Sequence, residues 1–330
     1  MSKKSCLVVS VIIIVIFIIL ITCGALCLLT SEMFSNYDLS SISSASYDTI
    51  SEGGGDKIAV IKVEGLIMDV ASDSSLFGSS YASSQKICGN IDSAIEDENV
   101  RAIILSIDSP GGDVYATDTI YNKILEAQSY GIMIVALFRN TAASGGYYIA
   151  APADKIVSNP LSLTGSIGVR LDVQSLSGLY EKLGIETRTI TNKEGEYKTG
   201  EGLFDDNPDG EEDEIYKKLV GEYFEKFLTV VSEGRGIEED ELLQYADGRI
   251  FSGQQAYEIG LVDVLGDMDD ALSAAESLAG IENATVIEYK ENDFWSMFAG
   301  YVAKIISPNL DLSNLVDPTP GIKLKYLYIE

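Results

Sequence analysis

The chain opens on an unbroken apolar run. From Leu7 to Leu29 no position carries a charge, 23 residues in succession, enough for a helix to cross the hydrocarbon of a bilayer. Lys3 and Lys4 precede the run and a polar, Ser-rich stretch follows it. The run is longer than a secretory h-region, about 7–15 residues, so it is predicted to be an uncleaved anchor. The positive-inside rule keeps the two lysines cytoplasmic and sends everything after Leu29 outward. Residues 30–56 end in Gly53-Gly54-Gly55 and read as a flexible linker.

Beyond the linker the pattern changes to strand and helix periods. IAVIKVEGLI, just after Lys57, alternates and is β-branched, which predicts the first strand. Ile87, Ile91 and Ile95 recur at helical spacing within a predicted helix over Ser83–Glu96. A buried strand is predicted over Ala102–Ile107, closed by Asp108-Ser109-Pro110-Gly111-Gly112. A helix over Asp113–Ser129 and a strand over Ile132–Phe138 come next. After Thr141-Ala142-Ala143-Ser144-Gly145-Gly146 another helix starts, then the short strand DKIVS and the turn Thr164-Gly165-Ser166-Ile167-Gly168. Leu176–Leu183 reads as helix, Ile185–Ile190 as strand, and Glu211 to about Glu233 as a long amphipathic helix whose first acids suit its dipole. This rhythm predicts an α/β fold with parallel strands and right-handed crossovers. The organisation read from it is a cytoplasmic stub (1–6), an anchor (7–29), a linker (30–56), a main domain (57–280) and a C-terminal extension (281–330). In that extension Asp293–Ile306 reads as an amphipathic helix. Docking, grazing the membrane, packing on its own domain and packing on a neighbouring subunit all fit its pattern.

Charge narrows the partners. The formal net charge is −28; Lys3 and Lys4 contribute +2, so the rest of the chain carries −30 and would repel nucleic-acid phosphates. Histidine is absent altogether. No Ser-His-Asp triad, Cys-His dyad or His-ligated zinc or haem can be built within the chain. Three of the four cysteines fall in the N-terminal segment. Cys88 is left without an intrachain disulfide partner and reads as a packing residue. Residues 201–214 hold 8 acids and no base; their spacing does not fit an EF-hand, so they read as a solvated loop.

Ser144 is where chemistry concentrates. It follows a buried strand and precedes an apolar helix, with small residues on either side. A plain reading is a Ser N-cap with glycines for close packing. The other is a nucleophile beside amides that steady an oxyanion. A second glycine pair, Gly111-Gly112, also at a strand end, brings further amides to the same carboxyl edge of the sheet. With no histidine, the base must be another group, and a buried lysine serves once its pKa falls from about 10.4 toward 7–8. Lys155 looks structural and Lys182 solvated. Lys193 and Lys198 flank a glycine-containing loop, and spacing does not choose between them.

The motifs DSPGG (108–112), AASGGYYIA (142–150), TGSIGV (164–169), KEGEYKTG (193–200) and ADGRIFSGQQAYEIGLVD (246–263) together resemble the signal peptide peptidase A family. Those are membrane-anchored Ser/Lys proteases of the ClpP/crotonase fold. The likeness spans about Lys57 to Gly280 and is to the short, single-domain form, since each motif occurs once. It implies repeated ββα layers, Ser144 as nucleophile, Lys198 as general base and Ser166 as the group that orients it. It implies the amides of Gly111, Gly112 and Gly145 as the oxyanion hole, with no metal and no cofactor. The implied substrates are remnant signal peptides or other hydrophobic peptides released in the membrane. The implied assembly is a homo-oligomeric ring or dome at the outer face of the cell membrane, with no nucleic-acid partner. A same-fold protease acting on other membrane proteins and a non-catalytic scaffold are the competing readings. A crotonase-type acyl-CoA enzyme fits less well, because no basic patch is present for the CoA phosphates.

Overall fold

The structure, a computed structural model, describes residues 47–70, 81–172, 176–186, 188, 190, 192 and 211–289. The predicted anchor at 7–29, the loop carrying Lys193 and Lys198, most of the acidic loop and the Asp293–Ile306 segment lie outside the described residues. Among the described residues no helix is long and apolar enough to cross a membrane.

Alternation along three strands builds the centre. In β2 (Lys57–Glu64) Ile58 and Val60 face one way, Ala59, Ile61 and Val63 the other. The same split divides β5 (Val100–Ser109), with Ala102 and Ile104 against Ile103, Leu105 and Ile107. It divides β6 (Met133–Ala143), with Val135 and Leu137 against Ile134, Ala136 and Phe138. Strands apolar on both faces must be covered on both faces, the signature of a buried parallel sheet. On one side α1 (Ser84–Glu96) and α2 (Val114–Ser129) supply Ile87, Ile91, Ile120 and Ile124. On the other, α6 (Met268–Ala279) lays Ala271 and Ala275 on the sheet. Each fully buried Ile or Leu in these layers contributes about 1.5–3 kcal/mol.

The strand order is β1-β11-β2-β5-β6-β7-β10, where β1 is Tyr47–Ser51, β7 Lys155–Ser158, β10 Val264–Leu265 and β11 Thr285–Tyr289. From β11 to β10 every pair is parallel; β1 runs antiparallel to β11. A branch leaves this path: β8 (Leu163–Gly165) pairs with the end of β6, and β9 (Ile250–Ser252) pairs with β8. Away from the main sheet, β3 (Leu66–Met68) pairs in parallel with β4 (Tyr81–Ser83).

Helix boundaries follow the caps. Ser83 accepts the Lys86 amide and starts α1, and Asp113 accepts the Ala116 amide at 2.8 Å and starts α2. Four features depart from the sequence pattern. The sheet begins upstream of Lys57, because Tyr47–Ser51 finds the edge of β11. β6 runs on past Phe138, because β8 gives Thr141–Ala143 a partner. The long helix α5, Glu211–Arg235, continues two residues beyond Glu233. The strand predicted at Ile185–Ile190 is not formed at the described positions 185, 186, 188 and 190. There Ile185 and Ile190 are exposed, and alternation without a neighbouring edge makes no strand. Cys88 packs in the core as expected, and burial pushes its thiol up to about 11, which leaves it unreactive near neutral pH.

Candidate active site

Two turns meet at the carboxyl ends of β5 and β6, the edge where open parallel sheets bind ligands. The two strands hold register up to Ile107↔Phe138 and resume at Ser109↔Ala142. Arg139-Asn140-Thr141 therefore oppose the single residue Asp108, whose Oδ1 accepts the Thr141 amide at 3.1 Å. Such a bulge re-aims the strand end. Thr164 Oγ1 then donates to the Ala142 carbonyl at 2.7 Å, pinning β8 to β6.

Ser144 lies immediately beyond this lock. Its φ is 53° and ψ −121°, its amide donates to the Gly165 carbonyl at 2.8 Å, and its hydroxyl makes no capping bond to α3 (Gly145–Ala150). A left-handed φ at a serine costs of order 1–3 kcal/mol and persists only where surroundings impose it. Ser166 repeats the feature with φ 51°, its amide donating to the Arg249 carbonyl at 2.8 Å. Because Ala143 pairs with Gly165, both strained serines follow the same rung of the sheet. The plain N-cap reading of Ser144 does not hold, since its hydroxyl caps nothing.

Glycine is obligatory where the turns touch. A Cβ on Gly111, whose φ is +99°, would lie 2.6 Å from the Gly145 nitrogen and 2.9 Å from Ser144 Cβ. One on Gly146 would meet the Ser109 carbonyl at 2.8 Å. The three glycine amides differ in state. That of Gly111 is already used, donating to Ser109 Oγ at 3.1 Å. Those of Gly112 and Gly145 have no acceptor among the described residues. A Cβ on Gly145 would lie 3.2 Å from the Gly112 nitrogen, so the two free amides are neighbours.

A cavity of about 1060 Å³ opens over the turns, and Gly112, Thr117, Ser144, Gly145 and Ser166 all line it. Its apolar side includes Tyr148 and Phe227, with ring centroids 5.1 Å apart. Tyr148 donates to Asp118 Oδ1 at 2.7 Å; burial first, then that carboxylate, drives its pKa far up, so it stays a neutral phenol. Arg170, Asp172 and Asp247 stand at the cavity's polar side. Hydrogen bonds from Arg249 hold the exposed Asp247 carboxyl down to about 2. Among the described residues no group of three or more acids or cysteines is arranged to hold a metal ion.

Of the predicted residues, Ser144, Ser166, Gly111, Gly112 and Gly145 come together here; Lys198 and Lys193 lie outside the described residues. Lys182 is exposed on α4 (Ser177–Leu183). Lys155 pairs with Val135 near the start of β6. Nine residues of chain separate that point from Ser144, about 30 Å of strand, so Lys155 is too far to act there. Sequence reasoning passed over Thr117, although its place one residue after the buried Ala116 and three before Ile120 puts it on the inward face of α2.

The chain is similar to known proteins. The model of peptidase family S49 matches residues 126–282. A putative signal peptide peptidase SppA of Enterococcus faecium is 37% identical over 251 residues, 74% of this chain and 70% of that protein. The chloroplastic serine protease SPPA of Arabidopsis thaliana is 33% identical over 282 residues, 83% of this chain and 41% of that protein. Among solved structures, a mutant ClpP1 of Listeria monocytogenes aligns at 17% identity and a TM-score of 0.43, covering 64% of this chain and 94% of that one. By its relatives, the chain belongs to peptidase family S49 and is a serine protease of the signal peptide peptidase type.

Proposed function

We propose that this protease is a membrane-anchored Ser/Lys endopeptidase that degrades signal peptides left in the membrane after secretion. Ser144 is the nucleophile, Lys198 the general base and Ser166 the residue that orients the base. The observation that carries the reading is Ser144 itself. It is held at φ 53° beyond a strand end, with an uncapped hydroxyl lining the cavity and two unpartnered amides alongside. The amides of Gly112 and Gly145 form the oxyanion hole; that of Gly111 is engaged by Ser109 and instead shapes the turn.

In the first step Ser144 Oγ attacks the scissile carbonyl and its proton passes to the neutral amine of Lys198. The carbon–nitrogen bond then breaks, and the ammonium returns that proton to the leaving amine. Water attacks the acyl-enzyme and gives a proton to Lys198; the carbon–oxygen bond to Ser144 then breaks, Lys198 passes that proton to Ser144 Oγ, and the acid product leaves. Segment 7–29 anchors the chain with its catalytic part outside the cytoplasm. The enzyme works as a homo-oligomer, with sites facing an enclosed bowl above the membrane.

Ser144→Ala and Lys198→Ala should each abolish hydrolysis of a synthetic signal peptide while leaving the thermal transition unchanged, and a serine-directed acylating probe should label the parent but not Ser144→Ala. Full hydrolysis by Lys198→Ala moves the base to Lys193, tested next by Lys193→Ala. A lysine base also sets the pH profile: activity rises with pH as the ammonium deprotonates, which gives an alkaline optimum. A panel of signal peptides and other membrane segments tests the substrate class.

A further inference from the structure

We propose that Thr117 supplies a third hydrogen-bond donor to the oxyanion pocket, a role that rests on reading Ser144 as the nucleophile. Three buried side-chain polar atoms among the described residues have no hydrogen-bond partner: Thr117 Oγ1, Arg235 Nε and Tyr289 Oη. Arg235 has other partners for its guanidinium, in Asp263 and the Ala153 carbonyl. Of the three residues, Thr117 alone lines the cavity with Ser144.

Its neighbour on the helix shows what it forgoes. Thr119 Oγ1 donates back to the Tyr115 carbonyl at 2.8 Å, the usual resort of a helical threonine. Thr117 has the same resort at the Asp113 carbonyl and does not take it. Its hydroxyl turns instead to Gly145, 2.8 Å from where a Cβ would stand on that glycine. The Gly112 nitrogen lies on the same flank of Gly145, 3.2 Å from that point. Thr117 is only 4% exposed, so bulk solvent screens its hydroxyl little. A donor with no protein partner, on the cavity lining beside two unpaired amides, is arranged for an oxygen that arrives with the substrate. Weak screening also strengthens its bond to a developing negative charge.

The test separates chemistry from structure. Thr117→Val keeps the shape and removes the donor. Since the hydroxyl has no partner to lose, a merely structural threonine gives a variant with unchanged activity and an unchanged or raised melting temperature. The proposal expects the same melting behaviour with kcat lowered on the order of 10²-fold, as for loss of one oxyanion donor, and KM little changed. Thr117→Ser, which restores the hydroxyl, should recover most of kcat. A Thr117→Val enzyme within about two-fold of the parent in kcat overturns the proposal. So does a Thr117→Ser enzyme that is no better than Thr117→Val. Ser144→Ala in the same full-length background tells the two failures apart: if it still hydrolyses peptide, the nucleophile assignment has failed, whereas a dead Ser144→Ala beside an unimpaired Thr117→Val refutes the donor alone.

Discussion

At the scale of single residues, the site rests on close approach between two turns. Gly111 combines a left-handed φ of +99° with backbone neighbours that leave no room for a Cβ. Gly131, at the end of α2, has a similar φ of +83° and nothing within 4 Å of a Cβ position. The two glycines therefore share one cost and differ in the other. Alanine at either pays about 1–2 kcal/mol for the left-handed backbone. At Gly111 it must also displace Gly145 and Ser144, so Gly111→Ala should lose on the order of 10²-fold in kcat/KM, the usual cost of misplacing reacting groups by about 1 Å. Gly131→Ala should lose stability alone. Peptide hydrolysis and thermal denaturation of the two variants side by side check this, and equal activity in both would argue against a tight turn as the basis of the site. The sequence made these glycines conspicuous by their pairing and their place at strand ends. It did not reveal that Ser109 Oγ occupies the Gly111 amide, because a serine two residues away is no more than composition until the turn is built. The choice of Lys198 over Lys193 came from family resemblance alone, as both flank one loop and burial decides a lysine's pKa.

At the scale of elements, local signals and tertiary pairing divide the fold between them. The starts of α1 and α2 could be read from Ser83 and Asp113, since a cap acts on amides two or three residues away. The ends of β6 and the existence of β8 and β9 were not legible as such. Leu163–Gly165 and Ile250–Ser252 are three residues each, too short to show alternation, and exist because each gives the other an edge. The strand predicted at Ile185–Ile190, not formed at its described positions, is the converse case. Asp113 shows how a local signal reaches the site. Its side chain caps α2, and its amide donates to the Ile67 carbonyl at 2.9 Å, fixing the turn that contains Gly111-Gly112. Asp113→Ala removes the cap and keeps the amide bond, so it should cost about 1 kcal/mol in denaturant unfolding. Because α2 also carries Thr117, kcat should fall by more than the small loss of folded protein explains. An unchanged kcat at the lower stability would show that the first turn of α2 does not position the cavity.

At the scale of the whole molecule, contacts far apart in sequence set how the long helix α5 is held to the sheet. Arg235, its last residue, pairs with Asp263 at 2.6 Å and is 6% exposed at its side chain. The same carboxylate accepts the Ile156 amide of β7 at 2.7 Å, so one group joins α5, β7 and the segment entering β10. Close packing runs alongside: a Cβ on Gly234 would overlap the Ala151 carbonyl at 2.2 Å, just beyond α3. No pattern of hydrophobic and polar positions announces such a joint, since Arg235 and Asp263 each look like surface charges at the end of an element. Phe227, on this helix, forms part of the cavity wall, so the joint bears on function through position rather than chemistry. A buried charge that loses its partner is far costlier than the pair is stabilising. Arg235→Ala takes the cation from the Asp263 carboxylate, which is 27% exposed and keeps the Ile156 amide, and should destabilise by about 1–3 kcal/mol. Arg235→Ala combined with Asp263→Asn keeps an acceptor for Ile156 without the stranded charge and should recover part of that loss. Denaturant unfolding of the parent, the two single variants and the double variant gives the coupling energy. Strict additivity would mean that packing at Gly234, and not the ion pair, holds α5 in place.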